Sequence, residues 1–128
     1  MSPTLAGRKL VQAAFTVTDL ARSVAFYSDV LGLPALFETN GMAFFNLNGI
    51  RLMIGESESA EHKPGGGSVV YFNVADVRKA SAELERKGIK FEGRIETLTS
   101  TPTHELLLHI FKDPDGNFLA LMGETPRA

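Results

Sequence analysis

Phe15-Thr16-Val17-Thr18-Asp19-Leu20 and Phe72-Asn73-Val74-Ala75-Asp76-Val77 are one six-residue pattern written twice, at a constant offset of 57 from position 15 to position 72. Each copy alternates like a strand and then runs into apolar residues at helical spacing. After Asp19 these are Leu20, Val24, Tyr27 and Leu31, stopped by Gly32 and Pro34; after Asp76 they are Val77, Ala80 and Leu84, stopped by Gly88. An aspartate before the first helical turn accepts its free N–H groups, and a glycine after the last turn takes the left-handed conformation that ends it. The reading is strand, Asp-capped helix, glycine stop, twice over.

A second pair of segments repeats as well. Phe45-Asn46-Leu47-Asn48-Gly49-Ile50-Arg51-Leu52-Met53 resembles Phe111-Lys112-Asp113-Pro114-Asp115-Gly116-Asn117-Phe118-Leu119-Ala120. Both read as strand, turn, strand. Asn48-Gly49 suits a two-residue turn with positive φ at both positions, and Pro114-Asp115-Gly116 is its longer counterpart. The fold class is therefore α+β, with two βαβββ modules at 8–56 and 68–124 forming one domain. The polar, glycine-rich run up to Gly67 predicts a flexible linker over 57–67.

Side chains alternate across a strand, so every second residue shares a face. Ala13, Phe15 and Val17, with Val70, Phe72 and Val74, are uniformly apolar and should cover the helices. Leu52, Ile54, Leu119 and Leu121 belong with them. The mixed face is left for a cleft: Gln12, Ala14 and Thr16; Val69, Tyr71 and Asn73; Arg51 and Met53; Phe118, Ala120 and Met122. A two-residue turn at Asn48-Gly49 sets 44 opposite 53 and 46 opposite 51, which adds Phe44 and Asn46. The turn before Phe118 is longer and leaves the register open by one. Either His104 or His109 then points inward, not both.

Composition narrows the partners. A net charge of -2 without a basic stripe argues against nucleic acid. The absence of cysteine excludes disulfides, thiolate metal sites and thiol nucleophiles, and suits a reducing compartment. Met1 to Lys9 has no apolar leader core, and no apolar run reaches the ~18 residues of a membrane span. The expectation is a cytoplasmic protein whose partner is a small molecule or another subunit.

The run from Phe15 to Leu33 resembles the opening strand and helix of the vicinal oxygen chelate superfamily (glyoxalase, bleomycin resistance protein, extradiol dioxygenase), and Asp113-Pro114-Asp115-Gly116-Asn117 resembles its closing turn. The resemblance covers nearly the whole chain. It implies two βαβββ modules around a cleft, on a scaffold that hosts lyases, isomerases, dioxygenases, transferases and drug-binding proteins alike. It also implies four cleft-facing metal-ligand positions, two per module, which fall here on Gln12, Met53, Val69 and Ala120. Only Gln12 is a reasonable donor, whereas a catalytic metal needs about three ligands of His, Asp or Glu type. No metal and no cofactor are expected. Glu56, Glu58, Glu61 and His62 cluster in the linker, where they read more simply as a solvated loop.

Each candidate has a plain structural reading beside the functional one. Gln12 can bond a ligand carbonyl or a backbone group. Arg51 can hold a carboxylate or phosphate bidentately, or simply extend to water. Tyr71 and Asn73 can orient a ligand or serve as cross-strand partners. Met42, Phe44, Met53, Phe118 and Met122 form an adaptable apolar lining or an interface core. The histidines are the only neutral-pH acids or bases, and neither has a carboxylate partner in sequence. The chain is expected to bind a small, partly apolar organic molecule in the intermodule cleft, as a homodimer. The alternative is a glyoxalase-like lyase, isomerase or dioxygenase using a non-standard metal site or none.

Overall fold

Two four-stranded sheets carry the computed structural model, which describes residues 7, 8, 10–39, 41–56 and 68–128. The expected linker 57–67, with Glu58, Glu61 and His62, lies outside the described residues, whereas Glu56, expected in the same solvated loop, ends a strand of the first sheet and accepts the Leu20 N–H at 2.9 Å. In the first sheet the strands are β1 (Gln12–Val17), β2 (Ala35–Thr39), β3 (Met42–Leu47) and β4 (Ile50–Glu56) in the order β1-β4-β3-β2. The second repeats this order with β5 (Val69–Asn73), β6 (Phe91–Ser100), β7 (His104–Lys112) and β8 (Phe118–Pro126) as β5-β8-β7-β6. β1 runs parallel to β4 and β5 parallel to β8, while the other neighbours are antiparallel. Helices α1 (Leu20–Ala25) and α2 (Val77–Arg86) follow the first strand of each half.

The capping logic holds atom by atom. Asp19 accepts the Arg22 N–H at 3.1 Å and Asp76 accepts the Lys79 N–H at 3.0 Å. Gly32 and Gly88 end their segments at φ 74° and 95°. The first helix is not α-helical to its end: Phe26–Val30 form a π turn, in which the Leu31 N–H reaches the Phe26 carbonyl. Within that wider turn Tyr27 is fully buried. Asn48 and Gly49 take φ 52° and 98°, and the hairpin they close pairs Phe44 with Met53 and Asn46 with Arg51.

Core and open faces separate by strand parity. Phe15, Val17, Phe45, Leu52, Ile54, Leu107, Phe111, Leu119 and Leu121 join Tyr27 and Val77 in one buried cluster that spans both modules. The hydrogen bonds that tie the modules together run mainly from the β1–α1 region to the β7–β8 turn. Tyr27 donates to Asp113 Oδ2 at 2.8 Å and Asn117 Nδ2 donates to the Thr16 carbonyl at 2.8 Å. Asp115 accepts from Thr18 and from Arg22, the latter at 2.9 Å. Burial pushes the Asp115 carboxyl up, yet the Thr18 and Arg22 donors outweigh it and hold it below the usual carboxylate range.

The register left open in sequence is settled by β7, where Leu107, His109 and Phe111 pair with Gly123, Leu121 and Leu119 on the helix side. His109 is therefore a core residue. Its Nδ1 lies 2.8 Å from the Ser81 hydroxyl and its Nε2 lies 3.2 Å from the Gly93 carbonyl, which requires the proton on Nε2. The ring stacks on Phe91 with centroids 3.7 Å apart and planes within 5°. Burial disfavours the imidazolium and lowers this histidine below its ordinary value of 6.5. The unfolded chain then binds the extra proton first, so folding stability is fully present above about pH 6.5 and declines as pH falls toward the depressed native value. Urea melts between about pH 7.5 and about pH 5 should show this decline, and His109→Phe should flatten it. An unchanged slope in that variant would remove His109 as its source.

Candidate functional site

The open faces of the two sheets hold the residues expected at the cleft. On the first sheet Gln12, Thr16, Phe44 and Met53 are half-buried, and Asn46 and Arg51 are exposed. Phe44 stacks on Phe37 of β2, with ring centroids 4.5 Å apart. On the second sheet Val69, Phe118 and Met122 are half-buried, Ala120 is buried, and Tyr71 and Asn73 are exposed. The Lys112 ammonium sits 5.1 Å from the centre of the Phe118 ring and pairs with Glu92 at 3.1 Å.

A cavity of about 490 Å³ opens on this second face, with Leu106 and Met122 as apolar wall and Tyr71, Asn73 and Glu124 as polar rim. Leu106 and Glu124 are paired across β7 and β8. Reading every second residue forward from Met122 finds Glu124, and back from Leu108 finds Leu106, but the latter needed the β7 register that sequence left open. His104 has the open-face parity, yet it lies exposed at the end of β7, its Nδ1 2.9 Å from the Thr103 hydroxyl.

Polar groups behave differently on the two sides. On the helix side Ser23, Ser81, His109, Asp113, Asn117 and Thr125 are buried and each is hydrogen-bonded. Among the described residues, the side chains of Asn46, Arg51, Tyr71, Asn73 and Glu124 on the open faces make no hydrogen bond or ion pair. Buried polar groups must be satisfied internally, whereas these are left for water or a ligand.

The four positions that would hold a metal can now be tested by their chemistry. Ala14 pairs with Met53 and Tyr71 with Ala120, so the two halves place the positions equivalently. Gln12 Nε2 points its donor at Met53 Sδ, 3.9 Å away, and Val69 and Ala120 are hydrocarbon. One amide and one thioether do not make a divalent-cation site. Among the described residues no group of three or more His, Cys, Asp or Glu is gathered that would hold a metal ion.

Comparison with known proteins agrees with this architecture. The profile of the Glyoxalase/Bleomycin resistance protein/Dioxygenase superfamily matches residues 9–121. The chain belongs to that superfamily. The chain is 30% identical over 126 residues to the uncharacterized protein YraH of Bacillus subtilis (strain 168), covering 88% of this chain and 96% of that protein. The antibiotic-binding protein TnmS3 from Streptomyces sp. CB03234 superposes with a TM-score of 0.74 at 21% identity, over 94% of this chain and 98% of its own. Lactoylglutathione lyase from Agrobacterium tumefaciens gives 0.74 at 20% identity, over 92% and 95%. At such identities the superpositions establish the glyoxalase fold alone, since one superfamily scaffold carries several chemistries. Among the described residues no helix is long and apolar enough to cross a membrane.

Proposed function

We propose that this member of the superfamily binds a small, partly apolar organic molecule on the open faces of its sheets, without a metal ion, as a cytoplasmic homodimer. The observation that carries the reading is a cavity in which Tyr71, Asn73 and Glu124, without internal partners, accompany apolar Leu106 and Met122, in a chain whose four expected ligand positions offer a metal only the Gln12 amide and the Met53 thioether. A ligand pocket of this kind is mostly apolar, with a few polar groups to fix orientation. The cavity volume of about 490 Å³ suits a molecule of drug or metabolite size.

The dimer reading rests on exposed apolar side chains at the outer strands, Leu36 and Phe37 on β2 and Leu98 on β6, each about half accessible. A second copy related by a two-fold axis would cover such surface and bring one open face over another. Sedimentation equilibrium should give twice the chain mass.

Binding is tested by thermal shift with a panel of aromatic, quinone-like and drug-like compounds. A ligand at about 100 times its Kd stabilises the native state by about 2.7 kcal/mol. At least one compound should raise the melting midpoint, and Tyr71→Ala should reduce that rise. A panel that leaves the midpoint unmoved throughout contradicts the reading.

A further inference from the structure

We propose that the cavity on the second sheet selects an organic cation, a protonated amine on an apolar body, with Glu124 as its counter-ion. This inference rests on the binding reading above and names its ligand class. The charge pattern points that way. Of the residues lining the cavity, Glu124 is the one that carries a charge, and no lysine or arginine lines it. The ion pairs among the described residues engage Asp115, Glu105 and Glu92, and leave Glu124 without a cation.

Register explains why the carboxylate is free. β5 pairs with β8 only as far as Asn73 opposite Met122, so Glu124 lies beyond the end of β5, where Val74 and Ala75 turn away toward α2. Glu124 is exposed and lines the cavity, with no strand beside it on that edge. Tyr71 and Asn73 stand on the same face. Asn73, opposite Met122, is the nearer of the two in register, and its amide carbonyl is a second acceptor for an ammonium, which has three donors and no acceptor. Tyr71, opposite Ala120, stands farther along the cavity, where its exposed ring, with Leu106 and Met122, takes the apolar body. An anionic ligand of equal size would meet Glu124 uncompensated.

The test is calorimetry on the full chain with three matched probes, naphthylmethylamine, naphthylmethanol and naphthylacetate, and with Glu124→Gln. The amine should bind about three- to fivefold tighter than the alcohol and acetate, in line with an ion pair at an exposed carboxylate. Glu124→Gln should cost the amine about three- to fivefold in affinity and leave the alcohol unchanged. Added salt should weaken only the amine in the parent protein, a readout that needs no variant. Equal binding of all three probes, or an amine preference that survives both Glu124→Gln and salt, overturns the cation claim while the binding reading stands. No binding of any probe overturns the cation claim, and the panel result then decides the broader reading separately.

Discussion

Asp113→Ala is expected to cost about 4 kcal/mol of folding stability. Its carboxylate is buried and accepts four hydrogen bonds: from the Tyr27 hydroxyl at 2.8 Å, from Asn117 Nδ2 at 2.8 Å, and from the Asp115 and Asn117 backbone amides at 2.9 and 2.8 Å. Alanine would orphan the Tyr27 hydroxyl, which has no route to water because the ring is fully buried. It would also untie the turn whose Asn117 holds the Thr16 carbonyl, so both modules lose their shared anchor. Tyr27→Phe removes only one of the four donors and should cost about 1–2 kcal/mol. Burial, with the Asp113 charge behind it, holds the Tyr27 hydroxyl far above the ordinary tyrosine range, so it remains a donor at any pH the fold survives. Denaturant midpoints measure both variants. A loss under about 1 kcal/mol for Asp113→Ala would show that the hub is dispensable.

Gly123→Ala is the second large effect, at about 3 kcal/mol or more, or failure to fold. An added Cβ would overlap the Val74 carbonyl oxygen outright and lie 3.0 Å from its carbon. That carbonyl cannot yield easily, because the Val74 amide is tied to the Met122 carbonyl at 2.9 Å and the chain turns there into α2. The conflict is one of close approach, since Gly123 is not among the residues with positive φ. Gly55→Ala is the contrast: its Cβ would meet Met42 Cγ at 3.2 Å, the middle of a flexible side chain that can move. It should cost less than about 1.5 kcal/mol. Equal melting midpoints for Gly123→Ala and the parent protein would contradict the packing described.

Most of this architecture was legible because short signals repeat in the same order. Asp19 and Asp76 cap, Gly32 and Gly88 stop, and Asn48-Gly49 fixes which residues of β3 and β4 face each other. Where such a signal is missing, the reading stopped. The five-residue connection from Asp113 to Asn117 left β7 free to slip by one, and only its pairing shows that His109 points to the helices. The π turn at Phe26–Val30 has no marker in sequence, because its apolar spacing also suits an α-helix. The outer strands β2 and β6 carry bulges and largely exposed side chains, so neither shows a clean alternation.

The candidate site was legible in its parity and less so in its extent. Alternation assigned Gln12, Thr16, Arg51, Met53, Val69, Tyr71, Asn73, Phe118, Ala120 and Met122 to the open side, and the Asn48-Gly49 turn added Phe44 and Asn46. The pairings put those of each sheet on one face of that sheet, and of the twelve Tyr71, Asn73 and Met122 line the cavity on the second sheet. Phe37 joins Phe44 because a bulge between Ala35 and Phe37 resets the pairing, which composition cannot reveal. Glu124 lay past the last residue counted, although it follows Met122 by one full strand period.

The central claim is ligand binding that needs no metal, and one measurement addresses it directly. A compound that stabilises the protein is titrated by calorimetry into exhaustively chelated protein, and again after adding back Zn, Ni, Mn or Fe(II). The expected result is one affinity throughout, with no metal binding stoichiometrically on its own. Binding that disappears on chelation and returns with one metal would contradict the account, place metal ligands outside Gln12, Met53, Val69 and Ala120, and make an enzyme the better reading.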